Sequence, residues 1–418
     1  MSASYAIFGS GISAQGARRL ALSNGFKVVL FDELGKGDRM DFRLEDLSKF
    51  DAFIFSPGFA ADHPWRALVE ASGLLCLSEL AFAARYWKGR IIGVTGTNGK
   101  STITKLLVEA LKVSKLTSIA TGNIGFSFSE AALSNSNFPE AYAVLEISSF
   151  QAELIDGLKL DALLWTNLAE DHLDRYATIN DYYEAKSRLL HCLKKKNFCV
   201  IGPQVSDWID HMNEEFISCI LKDKSTHLDY KLCQESIFRY PPNSDNFLLV
   251  AKLWSLMNKS PDSLVEAANS FVPAPHRLNK IREIKGVKFW DDSKATNFHA
   301  TLTALQSFNG PIVWIGGGRS KGGNIQAFIK KVVQQVNAAV LYGEAADCIV
   351  ASLGSSPASV HVYPLFEDAV LAAAKIGFSI PNVNVLLSPG FSSFDQFKSY
   401  EERGKSFTRI VLSLKSTL

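Results

Sequence analysis

A glycine-rich turn ending in a lysine and a hydroxyl is the strongest chemical signal in the chain: Gly93-Val94-Thr95-Gly96-Thr97-Asn98-Gly99-Lys100-Ser101-Thr102. Apolar residues ahead of it read as a strand. Behind it, Ile103, Leu106, Leu107, Ala110 and Leu111 fall on one face of a helix. Backbone N–H groups of such a loop cradle phosphates, Lys100 neutralises them, and the Ser101 hydroxyl can ligate Mg2+. The glycine spacing departs from G-x-x-x-x-G-K-[ST], because Val94 stands where the first glycine belongs. The strand-loop-helix context still points to a nucleoside triphosphate.

A second glycine turn, Gly9-Ser10-Gly11-Ile12-Ser13-Ala14, follows the first apolar strand and fits G-x-G-x-x-G/A. Asp32 lies at the end of the next strand, where such units place an acid. An NAD-binding unit is one reading and a plain strand-to-helix turn another. The pattern specifies a diphosphate-like ligand better than its identity.

Further along, the strand Ala143-Val144-Leu145-Glu146 ends in an acid able to hold a metal beside phosphates. The segment Thr166-Asn167-Leu168-Ala169-Glu170-Asp171-His172-Leu173-Asp174-Arg175-Tyr176 packs three acids, a His and an Arg after a strand, and reads as a solvated acidic loop or, beside a phosphate loop, as a place where His172 ligates metal or carries a proton. His276-Arg277 and Asp292-Ser293-Lys294-Ala295-Thr296-Asn297 offer cations that could close over a triphosphate. In Leu387 through Phe397, the phenylalanines Phe391, Phe394 and Phe397 have helical spacing and are expected in a core. Ser392 and Ser393 there would cap a helix or grip a carboxylate.

The elements that must carry these groups alternate from end to end, as in an α/β protein. Strands are expected at Tyr5–Phe8, Val28–Phe31, Ala52–Phe55, Ile91–Thr95, Ala143–Ile147, Ala162–Thr166, Ile312–Ile315, Ala339–Tyr342 and Val383–Leu387. A helical pattern stops near Trp87-Lys88-Gly89-Arg90, and Pro273-Ala274-Pro275 interrupts the chain. Those breaks divide the 418 residues into 1–89, 90–273 and 274–418.

Composition bounds the rest. With 47% hydrophobic and 11% aromatic residues there is material for real cores, which excludes wholesale disorder. Lys and Arg total 44 against 42 Asp and Glu, so nothing supports a nucleic-acid or membrane-surface role. The N-terminus lacks a basic stretch ahead of its apolar residues, and no apolar run has the length of a membrane span. Six scattered cysteines without a C-x-x-C pair read as reduced thiols of a cytoplasmic protein.

Taken in order, these segments resemble the Mur ligases, the ATP-dependent amide-bond-forming enzymes of peptidoglycan assembly. The resemblance rests on Ser56-Pro57-Gly58, Gly96 through Thr102, Thr121-Gly122-Asn123-Ile124-Gly125, Glu146-Ile147-Ser148-Ser149-Phe150-Gln151, Glu170 through Tyr176, Asp292 through Asn297 and Leu387 through Phe397. It spans essentially the whole chain and favours the branch that adds D-glutamate to UDP-N-acetylmuramoyl-L-alanine. The Asp-Asn-Pro-Arg type segment of ligases that add a diamino acid is absent.

The resemblance implies three domains: a Rossmann-like N-terminal domain for the UDP substrate, a central P-loop ATPase domain with a mostly parallel sheet, and a Rossmann-like C-terminal domain. It implies that Ser10, Gly11, Ile12, Ser13, Asp32, Glu33, Gly58 and Asn123 bind the UDP-sugar. ATP would be bound by Asn98, Gly99, Lys100, Ser101, Thr102, Asn243, Asn246, Arg277, Asp292 and Lys294. Two Mg2+ are implied, held by Ser101, Glu146, His172 and a carbamylated Lys186. The D-glutamate pocket would be Thr296, Lys321, Ser393, Phe394 and Tyr400, and the catalytic set Lys100, His172, Lys186, Arg277 and Lys294. Gly390-Phe391-Ser392 departs from the commoner small-residue version of its motif. A cytoplasmic monomer acting on small molecules is expected. A different Mur ligase or a folylpolyglutamate synthase would share the central motifs and differ at Leu387–Tyr400.

Overall fold

The computed structural model describes residues 2–211, 219–220, 230–353 and 358–414. Three sheets follow one another along the chain. The first contains β1 (Ser4–Phe8), β2 (Lys27–Phe31), β3 (Ala52–Phe55) and β4 (Cys76–Ser78), in the order β2-β1-β3-β4, all parallel. The second contains β5 (Arg90–Thr95), β6 (Ser118–Gly122), β7 (Tyr142–Glu146), β8 (Ala162–Trp165), β9 (Cys199–Ile201) and β10 (Cys219–Ile220). Its order is β10-β9-β8-β5-β7-β6, again parallel.

The third sheet contains β11 (Asn279–Ile284), β12 (Val287–Asp291), β13 (Ile312–Gly317), β14 (Ala338–Tyr342), β15 (Ser359–Tyr363) and β16 (Asn384–Gly390). Its order is β11-β12-β16-β13-β14-β15, parallel except for the antiparallel β11–β12 pair. This is a three-sheet α/β architecture, as the alternation of elements predicts.

The chain forms two compact units. One comprises residues 1–168 and 180–271 with the first two sheets, the other residues 169–179 and 272–418 with the third. In the first unit an apolar cluster runs from Ile7, Leu30 and Ile54 through Leu80 and Phe128 to Ala143 and Leu163, so the two sheets share packing. Glu79 sits in that seam, and its carboxylate accepts from the Ser129 backbone N–H of the helix Phe128–Leu133.

The helix Lys100–Val113 buries Ile103, Leu106, Leu107, Ala110 and Leu111 completely. At about 1.5–3 kcal/mol for each large aliphatic side chain, this fixes the helix, and with it the phosphate loop, on the sheet. Parallel order delivers the loops that follow the strands to one rim of each sheet.

The expected strands all occur, with ends shifted by up to three residues at any one boundary. β4, β6, β9, β10, β11, β12 and β15 were not anticipated. Most are short or polar, and β11 is an edge strand buried on one side only, so none shows the continuous apolar run of a central parallel strand. One expectation is overturned. Residues 391–399 hold no helix, so the spacing of Phe391, Phe394 and Phe397 is not helical packing. Phe391 is buried and Phe397 packs on Phe366, but Phe394 is 60% exposed. Ser399, not Ser392 or Ser393, caps the helix Tyr400–Ser413.

Cys76, Cys192, Cys199, Cys233 and Cys348 are free, while the Cys219 side chain lies outside the described residues. Among the described residues no helix is long and apolar enough to cross a membrane.

Candidate active site

The loop after β5 is built as a phosphate cradle. Gly99, at φ +86°, opens the helix Lys100–Val113 with no side-chain cap. Such a helix start favours anions, through its backbone N–H groups and the helix dipole. Lys100 Nζ donates to the Gly96 and Thr97 carbonyls, each at 2.8 Å, which curls the lysine over the loop.

Thr166 and Asn167, just past β8, pin the loop from outside. Asn98 N donates to Asn167 Oδ1 at 2.9 Å, Thr166 Oγ1 donates to the Asn98 carbonyl at 2.6 Å, and Thr97 N donates to the Asn167 carbonyl at 3.1 Å. Asn246, at the start of the helix Asn243–Leu256, lies against Gly99: a Cβ there would stand 2.4 Å from Asn246 Oδ1. Asn243 accepts from the Asn246 amide at 3.4 Å, so both asparagines sit beside the loop. Ser101 and Thr102 occupy the first turn.

Glu146 ends β7, and only 3% of its surface is exposed. Its Oε1 accepts from Asn123 Nδ2 at 3.2 Å, whereas Oε2 has no hydrogen-bond partner among the described residues. A buried carboxylate oxygen left open is a costly arrangement that a cation relieves. Lys186, 1% exposed, donates from Nζ to the Gly96 carbonyl at 3.2 Å and lies 4.5 Å from the Tyr182 ring centroid. The open oxygen of Glu146 fits a divalent cation. Among the described residues no three His, Cys, Asp or Glu side chains converge on a metal-holding point. His172, another residue expected to hold metal, belongs to residues 169–179 of the second unit.

In the first sheet β1 lies between β2 and β3, so the loops after β1 and β3 leave the rim in opposite directions and open a crevice. Gly9-Ser10-Gly11 occupies one lip and Ser56-Pro57-Gly58 the other. A Cβ on Gly9 would stand 2.8 Å from Ser56 Oγ, and φ there is +100°, so this close approach requires glycine. Ile12 is 62% exposed at the mouth of the crevice, and Ser13 is partly exposed one residue further on. Asp32 is buried at the end of β2. The Ser10 hydroxyl and the Leu34 and Lys36 amides hold its carboxyl below the ordinary range against the opposing pull of burial. Glu33 is exposed beside His63 at 3.4 Å, and Gly58 faces open space.

The second unit carries a cleft of its own, lined by Glu170, Asp171, Thr296, Asn297, Lys321 and Gly390 among others. Lys321 Nζ stands 3.2 Å from Asp171 Oδ1, and Asn297 Nδ2 donates to Asp171 Oδ2 at 3.1 Å. Burial acts to raise the Asp171 carboxyl, but Lys321, His172 and Asn297 outweigh it and hold it below the ordinary range. Of the five residues expected around the amino acid, Thr296 and Lys321 line this cleft. Ser393 is buried, Phe394 is exposed, and Tyr400 lies under Lys294, whose Nζ is 3.8 Å from the ring centroid; none of the three lines it.

Arg277 is partly exposed between two residues of positive φ, His276 and Leu278. Burial pushes the Asp292 carboxyl up to about 7, although Ser388 Oγ donates to it at 2.8 Å and Leu278 N at 3.1 Å.

Three features escaped the sequence reading. Thr166 and Asn167 anchor the phosphate loop, but in the segment they open only the acids, His172 and Arg175 suggested chemistry. Asp171 was one acid among three in its segment. Arg403, fully buried in the helix Tyr400–Ser413, donates to Ser293 Oγ, the Ser293 and Phe391 carbonyls and Tyr342 Oη, tying together the loops after β12 and β16. An arginine in a helix reads as surface, so nothing in the sequence pointed to it.

The Mur ligase middle domain matches residues 94–251, and the Mur ligase glutamate ligase domain matches residues 276–389. A protein of Desulfatibacillum aliphaticivorans named UDP-N-acetylmuramoylalanine–D-glutamate ligase is 34% identical over 394 residues, covering 89% of this chain and 86% of its own length. An Aquifex aeolicus protein of the same name is 30% identical over 416 residues, covering 97% and 98%. Among solved structures, UDP-N-acetylmuramate–alanine ligase from Thermotoga maritima shares the fold with a TM-score of 0.61 at 17% identity, over 99% of this chain and 100% of its own. Folylpolyglutamate synthase of Mycobacterium tuberculosis has a TM-score of 0.58 at 12% identity, over 78% and 92%. By its two matching domains and by relatives aligned along most of its length, the chain belongs to the Mur ligase family and is a ligase.

Proposed function

We propose that this chain is the ATP-dependent ligase that joins D-glutamate to UDP-N-acetylmuramoyl-L-alanine, releasing ADP and phosphate, in peptidoglycan precursor synthesis. The pinned phosphate loop around Lys100 carries the ATP half of this reading. The name shared by relatives at 30–34% identity supports the amino acid and the UDP substrate. The division into 1–89, 90–273 and 274–418, a cytoplasmic location and a monomeric state belong to the same reading.

The chemistry follows from the reactants. A carboxylate is a poor electrophile, so the terminal phosphoryl group of ATP passes to an oxygen of the L-alanine carboxylate, giving an acyl phosphate and ADP. The amine of D-glutamate then attacks the acyl carbon, a C–N bond forms, the amine loses its proton, and the tetrahedral intermediate expels phosphate. Lys100 offsets the charge gathered on the transferring group, and Arg277 and Lys294 add theirs from the C-terminal domain. His172 accepts the amine proton or serves as a metal ligand.

Ser101, Glu146, His172 and a carbamylated Lys186 would hold two Mg2+, which when bound supply further positive charge to the phosphate oxygens. Asn98, Gly99 and Thr102 would surround the phosphates, Asn243 and Asn246 the adenine side, and Asp292 the ribose. Ser10, Gly11, Ile12, Ser13, Asp32, Glu33, Gly58 and Asn123 would take the UDP-sugar, and Thr296, Lys321, Ser393, Phe394 and Tyr400 the D-glutamate.

The test is ATP-dependent phosphate release with UDP-N-acetylmuramoyl-L-alanine across a panel of D- and L-amino acids. Release with D-glutamate alone is expected. Release with another amino acid keeps the ligase and moves the pocket, the outcome that Gly390-Phe391-Ser392 would then explain. No release from folded, ATP-binding protein refutes the assigned substrate.

A further inference from the structure

The loop that carries Lys321 is tied down just before the lysine: the Arg319 backbone pairs with that of Ser392 in both directions, at 2.9 and 3.0 Å, and the Arg319 guanidinium pairs with Glu344. Gly317, Gly318, Gly322 and Gly323 flank the lysine, and all four have positive φ, between +83° and +135°. The Lys321 side chain itself is a long rotatable stem, so where its ammonium rests depends on the groups it contacts. Its contact is Asp171 Oδ1 at 3.2 Å. The carboxylate is itself fixed: only 8% of that side chain is exposed, Oδ1 also accepts from the His172 backbone N–H at 2.9 Å, and Oδ2 accepts from Asn297 Nδ2 at 3.1 Å. Asn297 is locked in turn, because its Oδ1 caps the helix Phe298–Leu305 by accepting from Ala300 N at 2.9 Å.

We infer that Asp171 is a positioning residue of the amino-acid site, holding the Lys321 ammonium where a carboxylate of the incoming amino acid binds. An ammonium has three N–H donors, so one lysine can serve Asp171 and a substrate carboxylate together. The pairing also restrains a long, flexible side chain before the substrate arrives, lowering the ordering cost of binding. Asp171 thus acts through Lys321 and not on the reacting atoms. Its loss weakens amino-acid binding more than it slows turnover. The inference rests on the ligase reading, and in particular on Lys321 facing the amino acid.

The test is a double-mutant cycle on the full-length enzyme, with Asp171→Asn, Lys321→Met and both together, reading KM for D-glutamate, KM for ATP and kcat. Lys321→Met is expected to raise the D-glutamate KM about a hundredfold and Asp171→Asn about tenfold, both well above any change in the ATP KM. The double variant should match Lys321→Met alone. Asp171→Glu, which keeps the charge, should recover most of what Asp171→Asn loses. A normal D-glutamate KM in Lys321→Met would overturn the assignment of the pocket itself. Multiplying effects in the double variant, or Asp171→Glu no better than Asp171→Asn, would overturn the positioning role while leaving the pocket assignment standing.

Discussion

The seam between the first two sheets holds a titratable group whose behaviour can be worked out in advance. Glu79 is buried where the helix Glu79–Ala84 meets the helix Phe128–Leu133. Burial pushes its carboxyl from the ordinary 4.5 up to about 7, against the lowering pull of the Ser129 hydroxyl and of the Ser129 and Phe128 backbone amides. Nearby Glu130 adds to the rise, although Arg19 pairs with that residue. Glu79 Oε2 has no hydrogen-bond partner among the described residues, an arrangement that suits a neutral acid better than a charged one.

The folded pKa lies above the unfolded one, so the folded state keeps a proton that the unfolded chain releases between pH 4.5 and 7. Stability from this group is therefore complete below about 4.5, falls as pH rises, and is gone above about 7. At about 1.4 kcal/mol per pH unit the loss comes to about 3 kcal/mol. Glu79→Gln keeps the shape and the acceptor for Ser129 N but removes the titration. The stability of the wild-type chain relative to Glu79→Gln should then drop by about 3 kcal/mol between pH 4.5 and pH 8. Urea unfolding followed by tryptophan fluorescence reads this, with Trp87, 5.8 Å from Phe128, reporting on the seam. A difference between the two proteins that is flat across that range, or that grows in favour of the wild type as pH rises, would refute the reasoning.

The phosphate loop gives a second expectation. Lys100→Ala should abolish ATP turnover, and Gly99→Ala should weaken ATP binding at least tenfold in calorimetry, because the new methyl meets Asn246 Oδ1 at 2.4 Å in a backbone conformation at φ +86°. Persistent phosphate release from Lys100→Ala would sink the role of the loop. Arg403→Met should destabilise the C-terminal unit by about 3 kcal/mol, because it leaves the Ser293 and Phe391 carbonyls, Ser293 Oγ and Tyr342 Oη without their buried donor. A melting temperature equal to wild type would show that these groups find other partners.

Much of the molecule was legible in the sequence, and the reasons are local. The phosphate loop announces itself because its chemistry needs consecutive backbone amides, a lysine and a hydroxyl, all within one strand-loop-helix turn. The central strands β1, β3, β5, β7, β8, β13 and β14 read clearly because burial on both faces makes them nearly continuous apolar runs. The short strands β4, β9 and β10 and the edge strands β6, β11 and β15 gave no such signal, although the apolar edge strand β2 did. The segment around Phe391 was misread because three phenylalanines at a spacing of three satisfy helical periodicity whether or not the backbone forms a helix. There the chain turns, and Ser392 bonds across to Arg319.

What the sequence by itself determined is the kind of group available: a glycine loop ending in a lysine and a hydroxyl, a second glycine turn after a strand, and acids and cations near strand ends. Tertiary structure alone decided which of those groups meet. Asp171 and Lys321 lie 150 positions apart and become partners only because residues 169–179 pack with the C-terminal sheet. Thr166 reaches the Asn98 carbonyl because β8 lies beside β5, a pairing that no local pattern encodes. Arg403 is buried because β12 and β16 are neighbours and their loops close around it. Local residue types set what a side chain can do; sheet order, fixed by the summed burial of whole strands and helices, sets what it does it to.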